Sequence, residues 1–509
     1  MKMIKQFGAV LLALAMTLSL GMSSAFATTA TGTISFKNTD GSTPTAQYTA
    51  YQIASIGGVS DNVYTDVVLN SAYKSTLVTD LGLTSSATDS DILTALQALS
   101  DDSDKIIAIA YDLQGELDSS TKSGTWNSGS ITGLSYGYYL IVETSASTDG
   151  YVASRPIIVA VPDTSGTTSI AVTLKNSKAS IDKKIVEGGS LVDSSTAAIG
   201  DSISYQSVSS IPYYPSNATN ISYTITDTFS SGLTYNEDIS VALLDSNGDV
   251  LDASLDAGTD YTYSVTSDGF IINLSDANVL TWGAAGDKLQ ITYSATLNDS
   301  ATVGSIGNPN TIGLTYGVGS DTYSTYDTVI TYTAKLVITK NDSDGNTLAD
   351  ATFALYKADS NGSYSDTPVQ TVTTGDSGIA SFTTLEQGTY KLVETVAPSG
   401  YNTADDVIFT VTAKNDGTAI PSTSIVLDAS NNTDALAFTA TWSGGDNFVV
   451  DSDGNLTYTV TDTKGFTLPG TGGSGTTLFT IGGIGLITLA GAMLILYNKK
   501  HNTGKRVSK

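Results

Sequence analysis

The chain has 509 residues, no cysteine, one histidine and a formal net charge of −27, from 23 Lys and Arg against 50 Asp and Glu. That acidic balance disfavours nucleic acid and anionic lipid as partners, because no basic patch is available to neutralise phosphates. The single histidine, His501, lies in the C-terminal tail, so histidine-based catalysis and the commonest metal ligand are excluded upstream of it, and no disulfide can staple the chain.

The N-terminus carries Lys2 and Lys5, an apolar run from Phe7 to Leu20, and the small-x-small site Ala25-Phe26-Ala27. Residues 1–27 therefore read as a secretory signal peptide. Beyond residue 27 the chain is filled by short Thr, Val, Ile and Tyr alternations broken by Gly, Asn and Asp, which predicts an all-β, multidomain protein.

Residues 28–177 are predicted to form a first β domain with a helical insertion. Strands are expected at Gly32 to Lys37, Gln47 to Ile53, Tyr138 to Glu143, Pro156 to Val161 and Ser169 to Lys175. Between them Ile92, Leu93, Leu96 and Leu99 share a helical face behind a Thr88-x-x-Asp91 capping box, and a second helix is expected over Lys105 to Leu117. Residues 178–334 show the cadence of a β-sandwich, with strands including Ala179 to Ile185, Asn220 to Asp227, Leu289 to Leu297 and Thr311 to Tyr316. Residues 335–467 form a third β domain. Its Gly388-Thr389-Tyr390-Lys391-Leu392-Val393-Glu394-Thr395, followed by Gly400-Tyr401, echoes Gly137-Tyr138-Tyr139-Leu140-Ile141-Val142-Glu143-Thr144 and Gly150-Tyr151 in the first.

Strand alternation assigns faces. In the third domain Lys340 follows Leu336 and Ile338, Glu394 follows Tyr390 and Leu392, and Asp462 follows Tyr458 and Val460, so three ionisable groups converge on an apolar interior. In the second domain Lys183 lies between Ile181 and Ile185, and Asp227 follows Tyr223 and Ile225. Burial lowers an amine pKa and raises a carboxyl pKa, giving a neutral nucleophile beside a proton-carrying acid.

The chain ends with Leu468-Pro469-Gly470-Thr471-Gly472, a Gly-Ser spacer, an apolar run at 478–497 long enough to span a bilayer, and a basic tail at 498–509. This order resembles the LPXTG cell-wall sorting signal of Gram-positive surface proteins. The resemblance implies that a sortase cleaves between Thr471 and Gly472, with the apolar run a transient transmembrane anchor.

The Leu-x-Ile-x-Lys opening, the Tyr-x-Leu-x-Glu-Thr strand and the last strand before the sorting signal resemble the CnaB-type isopeptide domains of sortase-assembled shaft pilins, built as immunoglobulin-like β-sandwiches. The resemblance implies Lys340 as amine, Glu394 as catalytic acid and Asp462 as acceptor, an Asp where the family more often has Asn. The second domain resembles the CnaA-type version and implies Lys183, Asp227 and Asn310, with Asn310 preferred to Asn308 because it shares the face of Ile312 and Leu314. In the first domain the corresponding set is Lys37, Glu143 and Asn176, although Lys37 is opposite in parity to Ile34 and Phe36.

Shaft pilins join a threonyl carbonyl to a lysine at the end of the first domain. Val172-Thr173-Leu174-Lys175-Asn176 resembles that motif without its Tyr-Pro, which implies Lys175 as the linking residue and Lys178 as its competitor. Glu143 and Glu394 also match the family's E-box. Implied partners are pilin-specific and housekeeping sortases, other copies of the chain, minor or tip pilins, peptidoglycan and a host surface ligand. No cofactor is expected, and the Asp342 to Asn346 and Asp451 to Asn455 loops read as turns, not metal sites. The rival reading is a monomeric wall-anchored adhesin.

Overall fold

The computed structural model describes residues 31–99, 103–304, 306–414, 437–442, 448–451, 455–465 and 486–497. They fall into two compact units that divide between Thr333 and Ala334. The signal peptide and the Leu468 to Gly472 pentapeptide lie outside the described residues. Among the described residues no helix is long and apolar enough to cross a membrane; residues 486–497 are helical, and 478–485 lie outside the described set.

The first unit opens with two packed sheets. One orders its strands Ser169–Thr173, Thr31–Lys37, Ser130–Ser135, Thr125–Asn127; the other runs Ile157–Val161, Gly137–Ser145, Gln47–Ser55, Val68–Leu69. Ile34, Phe36, Tyr48, Tyr139, Ile141 and Leu174 fill the space between them. Three helices, Ser71–Asp80, Asp89–Gln97 and Asp104–Gln114, contribute Leu77, Ile92, Leu96, Ile109 and Leu113 to a second core that includes Ile53 and Leu140. Gly137–Ser145 is therefore covered on both faces, which is why its sequence is continuously apolar from Tyr138 to Val142.

The Thr88 capping box forms as the spacing predicts, with Thr88 and Asp91 each bonding the other's backbone N–H. The Ser71–Asp80 helix carries no such signal. Asn70 caps it, but only Tyr73 and Leu77 mark its buried side, too sparse a stripe to read as amphipathic.

Residues 181–332 of the same unit form a second sandwich. A seven-stranded sheet centred on Ile181–Glu187, Ser202–Ser210 and Lys288–Leu297 faces a six-stranded sheet centred on Asp321–Tyr332, Asn308–Val318 and Ile221–Phe229. Sequence reading passes over Ser202–Ser210 because two of its buried positions, Ser207 and Ser209, are polar and mask the period of two.

The second unit packs the four-stranded sheet Ile379–Leu385, Ala334–Asp342, Leu456–Asp462, Val449–Val450 against the five strands Gln370–Thr373, Thr352–Lys357, Gly388–Val396, Val407–Lys414 and Ala437–Trp442. Its first and last strands run parallel, pairing Leu336 with Leu456 through to Asp342 with Asp462. The opening sandwich of the first unit does the same, pairing Ile34 with Ile170 and Phe36 with Val172.

Candidate functional site

In the second sandwich Lys183 projects from one sheet and Asp227 and Asn310 from the other, all three buried to within 1% of full exclusion. The Lys183 Nζ lies 2.5 Å from Asp227 Oδ2, and Asn310 Nδ2 donates to Asp227 Oδ1 at 2.5 Å and to the Thr228 carbonyl at 3.2 Å. Only the NH2 of the amide can satisfy that carbonyl, which turns Asn310 Oδ1 the other way, toward the Tyr293 hydroxyl at 3.3 Å. Tyr293 also donates to Asp227 Oδ2 at 2.5 Å and accepts from Lys183 Nζ. The amine stands 4.9 and 4.7 Å from the Tyr205 and Tyr293 ring centroids.

Burial pushes the Lys183 amine below its ordinary value, more strongly than the attraction of Asp227 holds it up. Burial and the Asp227 carboxylate push the Tyr293 hydroxyl far above its ordinary value, so it remains a donor. The result is an amine tending to neutrality beside an amide whose oxygen faces a hydroxyl. Asn308, two residues away, is also buried, but its amide is spent on the Thr302 and Thr331 backbone.

In the second unit Lys340, Glu394 and Asp462 meet in the same way, their side chains at most 1% exposed. Lys340 Nζ contacts Asp462 Oδ1 and lies 3.6 Å from Glu394 Oε1. Neither contact has hydrogen-bond geometry, and among the described residues Glu394 Oε1 and both Asp462 oxygens are left without a hydrogen-bond partner. Such a cluster is costly as three charges in an apolar interior and is relieved when charge is lost. Burial raises the Glu394 pKa, and the neighbouring Asp462 raises it further against the pull of Lys340 and the Ala404 N–H, which donates to Oε2 at 2.7 Å.

The first sandwich does not bring its expected set together. Lys37 lies on the outer face of its strand, exposed, with Nζ donating to Thr43 at 3.0 Å. The inward position after Ile34 and Phe36 belongs to Asn38, whose Oδ1 accepts from buried Asn176 Nδ2 at 2.9 Å. Glu143 accepts from Tyr48 at 3.0 Å and from the Ser154 N–H at 2.9 Å, the counterpart of the Ala404 contact to Glu394. The sequence echo is thus a structural one, but an asparagine pair stands where the second unit has lysine and aspartate. The parity of a strand decides this: a lysine one residue early faces water. Residues 28–177 should carry no internal amide, and peptide mapping of the mature protein should recover the Lys37 and Asn176 peptides unlinked.

Lys175 is exposed between buried Leu174 and Asn176 and has no partner among the described residues, whereas Lys178 lies over the Tyr151 ring, 5.2 Å from its centroid. The same junction is tied by Tyr316 and Tyr323, whose hydroxyls donate to the Gly150 and Ser147 carbonyls, each at 2.9 Å, and Val152 sits in the core of the second sandwich. Gly150 has φ +91, and a Cβ there would come within 2.9 Å of the Tyr316 hydroxyl.

Sequence reasoning missed Tyr293. The inward alternation Leu289, Ile291, Tyr293, Ala295 was available to find it, and Tyr205 pairs with it across the neighbouring strand.

Three families match parts of the chain. Residues 199–319 match the Gram-positive pilin backbone subunit 2, Cna-B-like domain, where the sequence resemblance suggested the CnaA type. Residues 334–424 match the prealbumin-like fold domain SpaA, and 461–503 the LPXTG cell wall anchor motif. The trypsin-resistant surface T6 protein of Streptococcus pyogenes serotype M6 is 29% identical over 262 residues, 47% of this chain and 46% of that protein, so the match spans about half the length of that relative. The solved T6 backbone pilin of serotype M6 Streptococcus pyogenes superposes with a TM-score of 0.52 at 20% identity, covering 88% of this chain and all of that one. The full-length major pilin SpaD of Corynebacterium diphtheriae gives 0.47 at 17% identity, covering 87% of this chain and 99% of that one.

Proposed function

We propose that this chain, which has the domains of a Gram-positive backbone pilin and its cell wall anchor motif, is the structural shaft subunit of a covalent surface pilus. Sortase would pass the Thr471 carbonyl of one copy to Lys175 of the next, and internal amides would join Lys183 to Asn310 and Lys340 to Asp462. The observation that carries the amide reading is the pair of buried lysines, each against a carboxylate in an apolar interior. A lysine held neutral there is a nucleophile, and loss of its charge removes the cost of burying it.

Lys175 is favoured over Lys178 as the linking amine because it is exposed and unpartnered among the described residues, while Lys178 is engaged with Tyr151. The chain's role is structural: the groups it brings together act on one another. Its place is the cell surface, anchored to the wall, with sortases, further copies of itself, minor pilins and peptidoglycan as partners.

Immunoblots of cell-wall extracts run under denaturing conditions provide the test. The wild type should give a high-mass ladder, Lys175→Ala a single monomer band, and Lys178→Ala an undiminished ladder. A ladder that survives Lys175→Ala removes that lysine from the assignment, and a wild type that runs only as monomer favours a wall-anchored adhesin.

A further inference from the structure

We infer that Tyr293 is a catalytic residue of amide formation in the second sandwich, its hydroxyl donating to Asn310 Oδ1 as that oxygen takes up negative charge. This rests on the Lys183 to Asn310 reading above and adds a fourth group to it. Tyr293 is the one side chain whose polar atom contacts Lys183, Asp227 and Asn310 alike among the described residues.

The geometry assigns each group a part. The Lys183 nitrogen attacks Asn310 Cγ, the new C–N bond forms, and the carbonyl electron pair moves onto Oδ1, opposite the Tyr293 hydroxyl. The nitrogen sheds a proton to the Asp227 carboxylate, whose Oδ2 lies 2.5 Å away, and the carboxyl so formed passes that same proton to Asn310 Nδ2, which lies 2.5 Å from its Oδ1. The carbonyl reforms, the Cγ–Nδ2 bond breaks, and ammonia leaves. Atoms balance as amine plus primary amide giving secondary amide plus ammonia, and Asp227 ends as it began.

Before reaction the Tyr293 proton is drawn to Asp227, at 2.5 Å, more than to Asn310, at 3.3 Å. Charge developing on Oδ1 reverses that preference, so the hydroxyl binds the transition state better than the ground state, the condition for a rate effect. Burial that keeps the phenol protonated maintains the donor throughout.

Tyr205 supplies the control. It is as buried, stacks on Tyr293 at 5.4 Å between ring centroids, and its hydroxyl bonds none of the three reacting side chains. Newly synthesised protein, sampled over time, quenched in denaturant and digested, reports the fraction of Lys183–Asn310 linked peptide. Tyr293→Phe should slow linkage by about 10² to 10³, the usual cost of one oxyanion donor, and Tyr205→Phe should leave it unchanged. Lys340–Asp462 linkage in the same molecules should match the wild type. Linkage in Tyr293→Phe at the wild-type rate overturns the inference. If Tyr293→Phe does not fold, a fluorinated tyrosine at 293 keeps the shape while acidifying the hydroxyl, and an unchanged rate there overturns it equally. A wild type that never links Lys183 to Asn310 instead refutes the amide reading itself.

Discussion

Mature protein released from the wall should be lighter than its sequence by one water and one ammonia. The water would come from condensation of Lys340 with the Asp462 carboxyl and the ammonia from Lys183 with the Asn310 amide. Both reactions draw on the same physics. A buried ammonium beside buried carboxylates has lost its hydration, and mutual attraction returns only part of it. Condensing Lys340 with Asp462 removes both charges of an ion pair, whereas joining Lys183 to Asn310 removes only the ionisable amine and leaves Asp227 as it was. In the second unit the incentive is strongest, since among the described residues Glu394 Oε1 and both Asp462 oxygens lack hydrogen-bond partners. Glu394→Gln, which keeps the shape but cannot relay a proton, should restore the missing water while leaving the ammonia loss in place. Intact mass resolves the four combinations. An unmodified mass for residues 334–465 would end the Lys340 to Asp462 assignment, and a water loss that survives Glu394→Gln would leave the bond but remove Glu394 as its catalyst.

The second large effect is on stability. Lys183 and Asn310 stand on opposite sheets, so an amide between them would tie the two halves of the sandwich together, and a cross-link closing a loop of this length removes about 5 kcal/mol of unfolded-state entropy. Asp227→Asn should block the bond with little change of volume. The melting transition of that sandwich should then fall by about 10–20 °C, at the few degrees per kcal/mol expected of a domain this size. Calorimetry of the variant, with mass spectrometry to establish that the link is absent, measures it. An unlinked variant that melts with the wild type would show that the amide contributes nothing to thermal stability. Lys340 and Asp462 sit on neighbouring parallel strands at the two ends of their domain's sequence. A bond there passes tension directly from the first strand to the last and shields everything between. Proteolysis should follow the same pattern: the unlinked variants should be cut by trypsin under conditions that leave the wild type intact.

Much of this was legible in the residues. The period of two in Leu336, Ile338, Lys340 and in Tyr390, Leu392, Glu394 fixes which groups face inward, because a strand has only two faces. Likewise Thr88-x-x-Asp91 announces its helix, since the cap is a local hydrogen-bond exchange. The internal echo of Glu143 and Glu394 was visible too, and each accepts a backbone N–H from ten or eleven residues on. Other features left no local mark. Ser202–Ser210 hides its alternation behind buried serines, and the Ser71–Asp80 helix has too few apolar residues to show a stripe.

The N-terminal leader pattern and the sorting-signal order were enough to read the chain as exported, and strand period to read it as all-β with Lys183, Lys340, Asp227, Glu394 and Asp462 pointing into apolar interiors. Each of these is a property of one segment read alone. Which groups meet was settled by the fold. It set Asn38, not Lys37, opposite Asn176, engaged Lys178 on Tyr151 while leaving Lys175 exposed, and brought Tyr293 onto all three groups of the second sandwich. Those pairings join residues up to 138 positions apart through sheet packing, and a one-dimensional period carries no information about the strand that will lie across from it.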